Sequence, residues 1–272
     1  MSLPKQIMVS GAFDDLRARD LRFLEEAAKL GELTVVLWPD TALETLTGKA
    51  PRFPFAERNY FLSAVRYVSR VIEAGATADF NSLPTDANVD IWVDVETTAT
   101  AAREMSAREH KVEYRVFDTG ELIHFPDPAP LGPAAGQKKV IVTGSFDWFH
   151  SGHVRFLEEA SALGNLHVVV GHDANIRLLK GAGHPLLPQE ERRYVVGSIK
   201  FVKRALISSG EGWLDADPEI KSLKPDIYAV NEDGDKGGKR EYCEKNGIQY
   251  VVLKRIPAPG LPNRSSTDLR GF

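Results

Sequence analysis

The chain has one cysteine in 272 residues, Cys243. That excludes an internal disulfide and leaves too few thiolates for a structural zinc site. It contains no apolar run near the ~18 residues that would span a bilayer. The opening "MSLPKQIMVSGAFDD" shows no signal-peptide core before the first strand-like segment. Positive charge is not in excess either. Lys and Arg number 34 against 38 Asp and Glu, a net charge of −4, so no global field draws the chain to nucleic acid or an anionic membrane. The expectation is a cytoplasmic protein with no nucleic-acid partner and no membrane span, whose anionic ligands are held by local basic groups. Cys243 lies in "KREYCEKNG" and is read as ordinary packing.

What the chain does have is a copy of itself. "VSGAFDDLRARDLRFLEEAAKLGELTVVL", from Val9, aligns without a gap to "VTGSFDWFHSGHVRFLEEASALGNLHVVV", from Val142. Farther on, "PFAERNYFLSAVRYVSR" from Pro54 matches "PQEERRYVVGSIKFVKR" from Pro188, and "VDIWVD" matches "PDIYAV". Between the halves, "FPDPAPLGPAAGQK" is rich in Pro, Gly and Ala, as linkers are. The expected organisation is a first domain at 1–125, a linker at 126–138 and a second domain at 139–272, the halves forming an intramolecular pseudo-dimer, with a homodimer open.

The second half alternates. "KKVIVTG", "LHVVVG", "RALIS", "PDIYAV" and "IQYVVLK" read as strands; "SGHVRFLEEASALG", "EERRYVVGSIKF" and "KREYCEKNG" read as helices. Near-continuous apolar strands alternating with helices imply α/β architecture: two Rossmann-like domains, each a parallel sheet with helices on both faces. Such sheets bind ligands beyond the carboxyl ends of their strands. "GSFDWFHSGH" falls there.

A helix start offers free N–H groups and partial positive charge, which suit a phosphate. Gly144 allows a tight turn, and Gly152 allows close approach to the backbone. His150 and His153 can then donate to oxygens whose charge grows during phosphoryl or nucleotidyl transfer. No third His or Cys stands near enough in sequence to suggest a metal set, and none is expected. At the far end, "RSSTDLR" places Ser265, Ser266 and Thr267 at a helix start between Arg264 and Arg270, a second phosphate-directed pattern.

"GSFDWFHSGH" resembles the G-x-F-D-x-x-H-x-G-H signature of the cytidylyltransferase-like nucleotidyltransferases. "VVVGHDANIRLLKG", the "PQEERRYVVGSIKFV" helix, "KPDIYAVNEDGDK" and "RSST" resemble later segments of that family, so the likeness covers the second half. It implies catalytic roles for His150, His153 and Lys180. It implies nucleotide binding by Gly144, Ser145, Phe146, Gly152, Arg264, Ser265, Ser266 and Thr267, and substrate binding by Asp147, Asp173, Arg192, Asp233 and Arg255. Lys180 reads as a loop lysine, Arg192 alternatively as a partner of Glu190 or Glu191, and Asp147 as a cap or an orienting group. Either Arg255 or Arg264 fills the family's arginine role, because a Pro-rich insertion separates Arg255 from Ser265.

The implied reaction joins a nucleoside monophosphate from CTP to a small phosphorylated alcohol of the glycerol, ethanolamine, choline or sugar phosphate type, releasing pyrophosphate. Mg²⁺ would accompany the triphosphate. Two alternatives stay open: adenylyl transfer from ATP to a sugar phosphate or similar acceptor, and nucleotide binding without turnover. In the first half "RARD", Arg17 to Asp20, replaces "HSGH". That half is expected to keep the fold without the activity, Arg17 and Arg19 forming a salt-bridged surface.

Overall fold

A strand buried at successive positions must be covered on both faces, and Val140, Ile141 and Val142 have no exposed surface. The computed structural model describes residues 3–75, 79–83, 88–266 and 269. It divides into Met1–Phe125 and Pro126–Phe272.

The first unit runs β1 (Gln6–Gly11), α1 (Ala18–Ala28), β2 (Glu32–Leu37), α2 (Asp40–Thr47), α3 (Phe55–Ala64), β3 (Arg70–Glu73), β4 (Ile91–Val95), α4 (Ala101–Glu109) and β5 (Glu113–Phe117). Its sheet has the order β3-β2-β1-β4-β5, every pair parallel. The second unit runs β6 (Lys139–Gly144), α5 (Ser151–Ser161), β7 (Asn165–Val170), α6 (Asp173–Lys180), α7 (Gln189–Gly197), β8 (Val202–Ile207), α8 (Asp217–Leu223), β9 (Ile227–Asn231), α9 (Lys239–Lys245) and β10 (Gln249–Leu253). Its sheet order, β8-β7-β6-β9-β10, is the same topology, again parallel throughout. The central registers also correspond: Gln6 to Gly11 pair with Glu32 to Leu37, and Lys139 to Gly144 with Asn165 to Val170. After β7 and β8 on one side, the chain crosses to β9 on the other side of β6. That reversal opens a crevice above the end of β6.

In the second unit Ile141, Val169, Ala216, Ile220, Tyr228, Val230 and Cys243 form one buried cluster. Cys243 is therefore core, and burial pushes its thiol up to about 11. Three sequence expectations need adjustment. Lys180 ends helix α6 and is not on a loop. Helix α8, with Pro218 in its first turn, lies where no helix was expected. The Pro-rich stretch belongs to the second unit and is bound to it. Ala134 exchanges two hydrogen bonds of 2.9 Å with the Asn165 carboxamide, Leu131 N–H donates to the Lys203 carbonyl, and Asp127 pairs with Arg193.

A buried arginine ties together the loops at the mouth of each sheet. Arg192 has no exposed surface. Its Nε donates to the Leu187 carbonyl (2.8 Å), Nη1 to that of Ser145 (2.6 Å), and Nη2 to that of Gly171 (2.9 Å) and to Asp173 Oδ1 (2.6 Å). Arg58 repeats the pattern with Phe53, Ala12, Trp38 and Asp40, at 2.9, 2.6, 2.9 and 2.6 Å. Asp147 likewise accepts from the backbone N–H groups of Leu186 and Leu187, as Asp14 does from those of Arg52 and Phe53. The expectation that Arg192, Asp173 and Asp147 meet substrate is corrected here. Arg192 is sealed from solvent, Asp173 is its ion-pair partner in place of Glu190 or Glu191, and Asp147 is a buried anchor for the loop before α7.

Leucine at Arg192 would leave three loop carbonyls and the Asp173 carboxylate without their donor. Arg192→Leu and Arg58→Leu should each cost about 3–5 kcal/mol in the unit that carries them, measured by urea denaturation. A cost below ~1 kcal/mol in either would contradict the bracing role.

Candidate active site

The turn between β6 and α5 is built from Gly144, Ser145, Phe146 and Asp147. Phe146 has φ +49°, in the left-handed region that a bulky residue rarely enters. Its ring folds back on Gly144, where a Cβ would lie 3.0 Å from Phe146 Cε2. The first unit repeats this arrangement with Phe13 at φ +47° and Gly11. The Gly-x-Phe-Asp part of the signature thus makes the turn in both units.

The histidines belong to the second unit alone. His150 caps α5: its Nδ1 accepts the Gly152 N–H at 3.1 Å. In a neutral ring that places the proton on Nε2. The His153 ring lies 4.1 Å from that of His150 and stacks at 5.2 Å on Phe149. His150 Nε2 and His153 Nδ1 are buried without a hydrogen-bond partner among the described residues. Polar atoms in that state are uncommon, and at the edge of a cleft a ligand or a water can complete them. Gly152 is needed here for a reason beyond ligand access, since a Cβ would come within 2.9 Å of His150 Cε1.

Burial, then the charges of Arg255 and Arg264, push the His150 imidazolium down to about 4. Burial holds His153 well below the usual histidine range, with His150, Arg255 and Lys180 adding to the effect. Both rings are therefore neutral at pH 7. They can donate a hydrogen bond without bringing a charge of their own.

The rings border a cleft of about 670 Å³ above the sheet. The cleft brings together His150, His153, Lys180, Gly144, Ser145, Phe146, Gly152, Asp233 and Arg255 from the expected set. Lys180 Nζ donates to Ser145 Oγ at 2.8 Å. Arg255 donates to Asp233 Oδ2 (2.7 Å) and to the Arg264 carbonyl (2.6 Å), joining the end of β10 to the C-terminal segment. Arg264 borders a narrow crevice beside the cleft, shared with Gly152 and Arg255. Ser266 Oγ donates to the Trp148 carbonyl at 3.3 Å, and Leu269 N–H to the Ser265 carbonyl. Thr267 and Arg270 lie outside the described residues. Asp147, Asp173 and Arg192 do not border the cleft.

Sequence reasoning missed part of the wall. Trp213 is 54% exposed and borders the cleft, together with Leu179, Lys236 and Lys239. Its ring rests on Gly238, where an added Cβ would lie 3.4 Å from it, and the paired bonds of Gly212 with Asn175 hold its backbone. The available signal was a tryptophan in a short glycine-rich segment, "GEGW", an unusual place for a core residue.

The first unit fills the corresponding places with its own side chains. Asp20, at the His153 position, accepts the Arg17 N–H at 2.8 Å and caps α1, and burial raises its carboxyl above the ordinary range. Arg17 pairs with Asp15, which also holds Arg52. Trp38 replaces Gly171; its indole N–H donates to Ser10 Oγ at 2.8 Å and its ring meets Phe80 at 4.4 Å. At Gly171 the space is tight, because a Cβ would lie 3.3 Å from Asp215 Oδ2 and from Ile176 Cγ1.

A parallel sheet with its cleft at the strand reversal, and two histidines at the first helix start, define a nucleotide-handling domain. The comparisons define it further. The cytidylyltransferase-like family model matches residues 141–272. An FAD synthase of Ferroglobus placidus is 41% identical over 120 residues, spanning 43% of this chain and 75% of that protein. An FAD synthase of Methanocella paludicola is 31% identical over 135 residues, spanning 48% and 93%. Among solved structures, a lipopolysaccharide core biosynthesis protein from Thermoplasma volcanium aligns at 27% identity over 45% of this chain and 99% of that one, with a TM-score of 0.38. The chain belongs to the cytidylyltransferase-like family and is a nucleotidyltransferase. Among the described residues, no helix is long and apolar enough to cross a membrane.

Burial of His150 has a consequence for stability. The unfolded chain binds a proton near pH ~6.5, whereas the folded ring does so only at about 4. Its contribution is complete above pH ~6.5 and is lost as the pH falls toward 4, amounting to about 2–3 kcal/mol by pH ~4.5. His150→Asn retains a capping side chain and removes the titration. The urea midpoint of the second unit should therefore fall less between pH 7 and pH 4.5 in this variant than in the wild type. Equal falls would refute the desolvated ring.

Proposed function

We propose that this enzyme transfers the adenylyl group of ATP to FMN, forming FAD and pyrophosphate. The names of its relatives support the reading, and the observation that carries it to this chain is the cleft wall. Trp213 and Leu179, exposed by 54% and 56%, offer a flat aromatic and apolar surface. A planar ring system uses such a surface, whereas glycerol or a sugar phosphate has little to place there. ATP therefore replaces CTP as the first choice of donor, and a flavin phosphate replaces the small alcohol phosphate as acceptor.

In this reaction a phosphate oxygen of FMN attacks the α-phosphorus of ATP. The bond from that phosphorus to the α,β-bridging oxygen breaks, and pyrophosphate leaves with the electron pair. His150 Nε2–H and the His153 ring donate to α-phosphate oxygens, where negative charge grows in the transition state. Being neutral and desolvated, they gain most as that charge develops. Lys180 holds the two reacting phosphates together. Arg264, Ser265, Ser266 and Thr267 hold the leaving group, and Arg255 takes the family arginine role while fixing that segment through the Arg264 carbonyl.

Mg²⁺ would enter with the triphosphate, held mainly by phosphate oxygens and water. Among the described residues, two carboxylates border the cleft: Asp233, paired with Arg255, and Asp215, which accepts from Ser208. This arrangement suits a metal carried by the nucleotide better than one held in a protein cage. The first unit is, on this reading, a degenerate copy of the same domain without turnover. Its helix start already holds a carboxylate where a phosphate would sit.

Incubation with ATP and FMN should release pyrophosphate and form FAD, with CTP or a small alcohol phosphate giving little product. Product with CTP and glycerol phosphate, but none with ATP and FMN, would overturn the assignment. His150→Ala and His153→Ala should each lower turnover by about 10²–10³; near-normal turnover in both would remove them from the mechanism. Calorimetry should find one ATP per chain. Two equivalents would show that the first unit binds as well.

A further inference from the structure

The carboxyl end of β9 carries a polar group that the transfer step does not use. Asn231 is the last residue of that strand. Its side-chain oxygen is buried and has no hydrogen-bond partner among the described residues. The residue borders both the main cleft and the narrow crevice beside it. A carboxamide oxygen is an acceptor and needs a donor. Phosphate groups provide acceptors and do not satisfy it, so a ligand that does so offers an N–H or O–H of its base, its sugar or its ring system.

The topology indicates which part. Strand β9 lies between β6 and β10, whereas Lys180 and Leu179 follow β7 on the opposite side of β6. On the β9–β10 side stand Arg255 and, beside it, Arg264. A triphosphate drawn to these cations and to the histidines places its nucleoside on the same side, within reach of the β9 terminus. A carboxamide presents an acceptor next to a donor, matching an exocyclic amino group next to a ring nitrogen, as in adenine or cytosine. Held in the same orientation, guanine, hypoxanthine and uracil present an oxo group at that position and oppose it.

We propose that Asn231 is a specificity residue that reads the amino group of the nucleoside triphosphate's base, so that the enzyme favours ATP over ITP, GTP and UTP. The assignment rests on the triphosphate-donor reading above. It is tested with full-length protein by calorimetric titration of ATP, ITP, 2′-deoxy-ATP and inorganic tripolyphosphate. Wild type should bind ATP about tenfold more tightly than ITP. Asn231→Leu should lose about tenfold in ATP affinity with ITP and tripolyphosphate nearly unchanged, and Asn231→Asp, which keeps an acceptor oxygen, should retain the ATP-over-ITP preference whatever its absolute affinity. A wild-type ATP-to-ITP ratio in Asn231→Leu overturns the assignment while leaving the donor reading intact. So does a Leu effect that is equal for ATP and ITP but absent for 2′-deoxy-ATP, which would assign Asn231 to the ribose. Wild type binding none of the triphosphates overturns the donor reading and this inference together.

Discussion

The mouth of the second sheet depends on one buried cation. Arg192 lies at the point where the loops after β6 and β7 and the loop before α7 converge, and it binds a carbonyl from each together with the Asp173 carboxylate. A buried guanidinium is tolerable when its donors are engaged, and four bonds achieve that here. The reward is geometric. With these loops held, the turn that contains Gly144 and Phe146 is held too, and α5 starts at a defined place above the sheet. The histidine rings then occupy fixed positions, as preorganised donors require.

The duplicated half shows how much of this is architecture. Arg58, Asp40, Asp14, Gly11 and Phe13 reproduce the brace, its ion pair, the loop anchor and the strained turn. Yet Asp20 caps the start of α1 where the second unit has His153 at the start of α5, and Trp38 covers Ser10 where the second unit has Gly171. The two units differ at residues that border the cleft in the second, His153 and Gly171 among them. The stability of each unit rests on its sheet core and its brace, and neither requires a ligand.

Desolvation joins the two halves of the site's behaviour. The burial that keeps His150 and His153 uncharged also leaves one nitrogen on each without a partner. On the proposed reading, the burial that removes those nitrogens from water also leaves them open to the oxygens of an entering phosphate. In a solvated loop the same rings would titrate near the usual histidine value and rotate freely.

The sequence by itself determined the repeat, the α/β alternation and the junction at which the chemistry lies. Those features follow from local rules: buried strands show as apolar runs, helices as periodic faces, and a tight turn as Gly-x-Phe-Asp. It also separated His150, Gly152 and His153 from the residues shared with the first half. Only the tertiary structure decided what the charged residues around them do. Asp147, Asp173 and Arg192 look like substrate ligands in the sequence because an acid or an arginine in a motif carries no label for burial. Folded, Asp173 pairs with the buried Arg192 and Asp147 holds the backbone of the loop before α7, and none of the three borders the cleft. Trp213 stands far from the signature in sequence and reaches the cleft through the crossover from β8 to β9, a long-range placement that composition and spacing cannot express.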